Sequence, residues 1–386
     1  MIACLECLSG FATPEGTATF ARNATENNVD SPVLASHFQP LSVAAPSTES
    51  ILWQGLSLSG LGIGTYLGQA DEETNLLVSQ AVIASVESGA INVIDTAINY
   101  RYQLAERSVG EALHALSKKG YSREQIFVST KNGYLSPDAD QPVDMKTWFD
   151  ATFFTPGLMT PDDIAGGIHC MHPAFLENQL NQSLSNLSID TIDLMYLHNA
   201  AESQLETTGR TLFMERLRQA FTFYEQARNT GKIRYYGMAT WDCFRCDPAE
   251  ATRYLSLESV VSLARAIGGE NHGFRAIQLP FNRAFSEAAT LKNQLLGSQH
   301  VTLLEAAEAL GIGVFTSVPL LQKQLLQPQG LPSYPGLESL SQRCLQQVRS
   351  TPGILCPLVG HKHPSHVADN IQVSRVPRQQ VAHAAY

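Results

Sequence analysis

From Ile51 onward, short apolar runs rich in β-formers alternate with longer amphipathic stretches, and the unit recurs eight times. Leu61–Leu67, Ile91–Asp95, Ile126–Thr130, Thr191–Leu197, Arg234–Ala239, Phe274–Leu279, Gly313–Thr316 and Ile354–Val359 read as strands. Glu73–Ser88, Leu104–Ser117, Phe175–Leu187, Leu212–Asn229, Leu257–Ile267, Thr302–Leu310 and Leu337–Val348 read as helices, and a last short one starts near Pro364. In Glu73–Ser88, Leu77, Ile83 and Val86 fall among polar positions and Gly89 supplies a stop. Such alternation implies parallel strands joined by right-handed crossovers. Eight repeats favour closure into a (β/α)8 TIM barrel over an open doubly wound sheet. The Gly60–Gly64 stretch, GLGIG, is a partial dinucleotide fingerprint with no helix start behind it, so a Rossmann sheet is rejected.

The chain of 386 residues leaves room for additions to one barrel of about 250 residues. Residues 1–50 are rich in Ser, Ala, Thr and Pro with little periodicity, and read as a poorly ordered or loosely docked extension. Residues 51–386 then form the barrel. Two stretches exceed a minimal barrel: Ser136–Pro173 after the third strand and Asp242–Ser256 after the fifth. The first carries Trp148, Phe149, Phe153 and Phe154. It is either a lid or substrate wall, or a plug that packs the rim.

A net charge of −10 argues against nucleic acid as a partner, since phosphate neutralisation needs a basic face. No apolar run approaches the roughly 18 residues of a membrane span, and MIACLECLSG lacks the pattern of a signal peptide. The expectation is therefore a cytoplasmic protein. Seven cysteines include two C-x-x-C pairs, Cys4/Cys7 and Cys243/Cys246. The odd count in such a chain favours free thiols over a zinc site, and no metal is expected.

Barrel active sites lie at the C-terminal ends of strands. The second strand ends in Asp95, with Tyr100 shortly after; the third ends in Lys131 and the fourth in His198. Each alone has a structural explanation, but the set at consecutive strand ends has a chemical one. A phenol with a pKa near 10 is a poor catalyst at neutral pH. A lysine ammonium beside it lowers that value, an aspartate holds the lysine, and a histidine orients a carbonyl for protonation by the tyrosine. Tyr102 is the runner-up proton donor.

On these residues the sequence resembles the aldo-keto reductase superfamily, from about Leu56 to Val373. Asp95-Thr96-Ala97-Ile98-Asn99-Tyr100 and the following Glu106–Leu113 look like its aspartate-to-tyrosine segment, Phe127–Lys131 like its lysine strand, and Asp190–His198 like its histidine strand. The resemblance implies a catalytic tetrad of Asp95, Tyr100, Lys131 and His198. It also implies a nicotinamide cofactor, NADPH in preference to NADH, and a small-molecule aldehyde or ketone as substrate. Cofactor contacts would come from Thr240 and Gln278, from Ser317, Pro319 and Leu320 after the seventh strand, and from Gly360, Lys362, His366 and Asn370 after the eighth. Three positions depart from the family pattern: Ala239 where a serine is usual, Ser317 where many members have an aromatic ring, and His366 where an arginine is common. Two other readings stay open, a cofactor-binding regulatory barrel without turnover and a lysine Schiff-base barrel centred on Lys131.

Overall fold

The computed structural model describes residues 6–26, 32–43, 53–140, 144–328 and 330–379. Eight parallel strands close a barrel: β1 (Gly62–Gly64), β2 (Val93–Asp95), β3 (Phe127–Asn132), β4 (Ile192–His198), β5 (Ile233–Ala239), β6 (Phe274–Pro280), β7 (Gly313–Ser317) and β8 (Ile354–Val359). Each pairs with its neighbours in sequence, and β1 closes the ring against β8.

The period of two along each strand decides what faces the barrel axis. Phe127, Leu194, Ala276 and Phe315 pack together at the lower level, with Trp53 against Phe127 and Phe315 at ring separations of 5.8 and 5.9 Å. Gly313 is required there, because a Cβ would stand 2.5 Å from the Trp53 indole nitrogen. Two residues further along, the inward positions turn polar: Asp95, Ser129 and Lys131 continue the same face upward. The barrel is thus packed below and chemically equipped above.

Helix boundaries follow capping chemistry. Asp71 accepts from the Thr74 amide at 2.8 Å and starts Glu72–Glu87. A capping box between Ser339 and Gln342 starts the seventh-repeat helix at Leu340, three residues later than its apolar periodicity suggests. The helix after β4 spans Ala200–Asn229 and begins well before Leu212, broken at Gly209, whose φ is 75°. A polar first half, AAESQLETTG, hides it from periodicity.

The expectation for residues 1–50 needs correction over their described part. Pro14–Glu26 is a helix with Phe20 and Ala24 buried in the main core, and Phe38 packs on Phe20 at 6.2 Å. Upstream, Leu8 bridges Ile189 in parallel, and the Ala12 amide donates to Asp193 at 2.6 Å. The same carboxylate accepts from Arg123 (2.6 Å) and the Val128 amide (2.7 Å). The extension seals the lower end of the barrel. Its apolar positions are too few and too spread for a periodic signal, and each finds its partner far away in sequence. Cys4 lies outside the described residues.

The Ser136–Pro173 insertion forms a short helix at Met145–Phe149, a wider turn at Asp150–Phe154 and a hairpin pairing Ile164–Ala165 with His169–Cys170. Its aromatics pack on one another and on Phe175: Trp148–Phe149 at 4.9 Å, Phe149–Phe175 at 5.7 Å, Phe153–Phe175 at 5.8 Å. Of the two roles open for it, packing the rim is the one the contacts favour. Cys243 is buried and Cys246 half-buried, both as free thiols pushed above the usual range by burial. Among the described residues no helix is long and apolar enough to cross a membrane.

Candidate active site

At the strand C-termini a cavity of about 620 Å³ opens. Its floor and walls include Asp95, Tyr100 and His198, while Lys131 lies just beneath, fully buried. The Lys131 Nζ donates to Asp95 Oδ2 at 2.5 Å and to the Thr96 carbonyl at 2.7 Å. Asp95 Oδ1 accepts from Ser129 Oγ (2.8 Å) and Gln278 Nε2 (2.9 Å), so its carboxylate is fixed by three side chains, two from β3 and one from β6. Lys131 Nζ also sits 4.8 Å from the Tyr100 ring centre. The Tyr100 ring meets His198 edge-on at 5.9 Å and Tyr66 at 5.1 Å.

The electrostatics follow from this burial. Desolvation pulls on Lys131, but Asp95 and Tyr100 outweigh it, and the ammonium is held above its ordinary pKa. A lysine held charged is a poor Schiff-base nucleophile, which removes the ground for the aldolase-type reading. Burial pushes the Tyr100 phenol above its usual value; Lys131 opposes this and Asp95 reinforces it. The direction is opposite to the one the lysine alone suggests, because desolvation of the phenolate is the larger effect. His198 is driven well below the usual range by burial, with Lys131 and His169 adding to it, so its imidazole is neutral. The site therefore presents a protonated phenol, a neutral imidazole and a buried cation.

Thr240, Gln278, Ser317, Pro319, Leu320, Gly360, His366 and Asn370 line the same cavity. Lys362 does not. It lines a smaller adjoining cavity of about 130 Å³ with Lys323, Gly360, His363 and His366. Tyr102 is 53% exposed and outside the cavity. Sequence reasoning missed Tyr66, Asn99, Tyr134, Trp241, Lys323 and Asp369, all of which line it. Asn99 stands inside the Asp95–Tyr100 motif and was within reach; its buried Oδ1 has no hydrogen-bond partner. Tyr66, Tyr134, Trp241 and Lys323 sit on irregular segments with no spacing signal, and Asp369 stands in the last turn of the short helix Pro364–Asn370. The loop after β7 places Val318, Leu321, Gln322 and Lys323 at positive φ (46°, 43°, 49° and 75°). Asn282 Nδ2 anchors it by donating to the Val318 carbonyl at 2.9 Å.

A closed eight-stranded parallel barrel with ionisable groups gathered at its strand ends defines a TIM-barrel enzyme. Residues 60–264 match the Aldo/keto reductase family, and the chain belongs to that family. It is thereby an oxidoreductase. No curated protein matches the sequence. Among solved structures, an aldo/keto reductase from Klebsiella pneumoniae in complex with NADP and acetate is similar at TM-score 0.54 and 18% identity, covering 83% of this chain and 88% of that one. A glycerol dehydrogenase from Gluconobacter oxydans is similar at TM-score 0.53 and 16% identity, covering 88% and 90%. At such identities the likeness speaks to the fold.

Proposed function

We propose that this protein reduces an aldehyde or ketone to the alcohol, using NADPH and Tyr100 as proton donor. The observation that carries the reading is the place of the Tyr100 phenol, set between the buried Lys131–Asp95 pair and His198 at the floor of one cavity.

The cavity and its polar groups fit a nicotinamide dinucleotide. One end holds the proton-transfer groups, and the other holds His366 and Asn370, next to the smaller cavity lined by Lys323, Lys362 and His366. Those three side chains suit phosphate oxygens, and this favours NADPH over NADH. Gln278, whose Nε2 is committed to Asp95, keeps its carbonyl oxygen for an amide N–H, and Thr240 lies beside it. Ser317, Pro319, Leu320 and Gly360 complete the wall. When bound, NADPH supplies the hydride. The residues of this chain do the rest. His198 donates a hydrogen bond to the carbonyl oxygen and orients it. As hydride adds to the carbon, the C=O π pair moves to oxygen and takes the Tyr100 proton. Lys131 stabilises the phenolate left behind, and Asp95 holds Lys131 in place.

The test is turnover. Purified protein is mixed with NADPH or NADH and a panel of small aldehydes and ketones, and the reduced-nicotinamide absorbance is followed. Tyr100→Phe is expected to lower kcat by about 10²–10⁴ with cofactor binding retained, and Tyr102→Phe to leave it unchanged. Ala239 and Ser317 favour a second reading, a cofactor-binding barrel that regulates without turnover. Tight NADPH binding with no reduction of any carbonyl selects it.

A further inference from the structure

We propose that His169, a residue of the rim insertion, is a positioning residue that fixes His198 for proton transfer. The proposal rests on the carbonyl-reduction reading above. His198 itself is weakly tethered: its Nδ1 is buried and has no hydrogen-bond partner. Among the described residues its ring meets the rings of Tyr100 (5.9 Å) and Tyr134 (5.1 Å) edge-on. His169 Nε2 lies 2.8 Å from that backbone, at the His198 carbonyl oxygen.

The direction of this bond follows from a chain of donors. Arg216 can only donate, and its Nη1 stands 2.9 Å from Gln204 Oε1. The Gln204 amide is thus oriented with Nε2 toward His169 Nδ1, at 2.8 Å. Nδ1 must accept, so the imidazole proton is on Nε2 and is donated to His198. Gln204 and His169 are both fully buried. Burial, with Arg216 adding to it, takes the His169 pKa down to about 4, so the tautomer holds at neutral pH. An imidazole placed this way is an outer-layer support of the kind that orients a reactive histidine.

The backbone is built around the contact. The Cys170 amide donates to the Gly133 carbonyl and the Leu135 amide to the Ile168 carbonyl, both at 2.8 Å, which stitches the hairpin to the exit of β3. Gly133 has φ 116°, and a Cβ there would stand 2.6 Å from His169 Nε2. Only glycine lets the ring reach the carbonyl. The exits of the Lys131 strand and the His198 strand therefore share one clamp, made by a segment that does not line the cavity.

His169→Met removes both hydrogen bonds at similar volume; His169→Gln keeps a donor for the carbonyl and an acceptor for Gln204. In His169→Met, kcat is expected to fall about 100-fold, the cost of a misplacement on the order of 1 Å, while NADPH affinity stays within about twofold. His169→Gln is expected to recover kcat to within about fivefold. The His198 ring nitrogen resonances, followed by NMR, shift in the methionine variant and return in the glutamine variant. If His169→Met does not fold, Gln204→Met releases the tautomer lock with His169 in place and must lower kcat in the same direction. Wild-type kcat in His169→Met overturns the proposal. So does an equal loss in both variants that tracks melting temperature and cofactor affinity. A wild-type protein that reduces no carbonyl sinks the reaction reading; the NMR arm then still decides, with unmoved His198 resonances in His169→Met overturning the positioning role.

Discussion

The Lys131–Asp95 pair gives the most demanding test of the site, because the two halves of the pair are supported unequally. Asp95→Asn leaves a buried ammonium facing a neutral amide in place of its counter-charge, beside the Thr96 carbonyl at 2.7 Å and the Tyr100 phenol. Lys131→Met leaves a carboxylate that still accepts from Ser129 and Gln278 at 2.8 and 2.9 Å. Breaking a buried pair by removing one partner costs about 3–5 kcal/mol. Asp95→Asn belongs at the upper end of that range and Lys131→Met at the lower. With an unfolding entropy of about 2.1 cal/mol/K per residue over 386 residues, roughly 0.8 kcal/mol/K, the melting temperature should fall by about 4–6 °C. The double variant removes both charges and leaves no uncompensated ion. Its loss should fall short of the summed single losses by about 3 kcal/mol. Denaturant unfolding of the four proteins, read by fluorescence and circular dichroism, measures the cycle, and all three variants should lose at least about 10² in kcat. Additive losses, or an Asp95→Asn protein as stable as wild type, would refute the coupled and desolvated pair on which the reading of Tyr100 depends.

The insertion and the β5 exit loop should separate stability from substrate binding. Phe149→Ala, inside the rim cluster, is expected to cost about 3–5 kcal/mol by denaturant unfolding with carbonyl KM unchanged, whereas Trp241→Ala, on the cavity wall and 44% exposed, raises KM with little change in stability. Gly237→Ala puts a Cβ 2.1 Å from the Ala276 carbonyl oxygen of the next strand, and a loss of at least about 1–3 kcal/mol should appear as a lower denaturant midpoint. Acid should destabilise the fold in a defined window. The pKa values of His169 and His361 are lowered by burial to about 4 and about 3, from 6.5 when unfolded. The unfolded chain then binds more protons, so this stability is full above pH 6.5 and is lost as pH falls toward the folded values. Each histidine contributes on the order of 3–5 kcal/mol at the limit, and a melting temperature flat between about pH 7 and pH 4.5 would contradict it.

How far the sequence reaches depends on the distance over which an interaction acts. Apart from the early start of the helix at Ala200, strand and helix positions fall within a few residues of the sequence reading, since the period of two in Phe127-Val128-Ser129-Thr130-Lys131 and the amphipathic spacing of Glu73–Ser88 are local signals. The convergence of Asp95, Lys131 and His198 was legible for the same reason. Once eight βα repeats close a ring, a residue at a strand end has one place to go. Tyr100 follows because it lies within one turn of Asp95.

What the sequence left unread depends on burial and on long-range contact. The sign of the Tyr100 shift is one case. Composition names the lysine that lowers the pKa, but desolvation is a property of the folded cavity, and it prevails. For a reductase this direction is the useful one, since a phenol that stays protonated at neutral pH is a ready donor; the reverse oxidation would need it ionised. Lys362 is another case. Its place in Gly360-His361-Lys362-His363 suggests a direct contact with the main cavity, yet the turn carries it to the neighbouring one, where Lys323 of the β7 loop joins it. His169 shows the strongest form of the effect. Nothing in Gly167-Ile168-His169-Cys170 separates it from any other loop histidine. Its partners lie at positions 133, 198 and 204, and its role exists only where the exits of β3 and β4 meet the rim hairpin. The ionisable groups that converge in this barrel are therefore written at its strand ends, while their surroundings are completed by loops whose sequence carries no periodic mark.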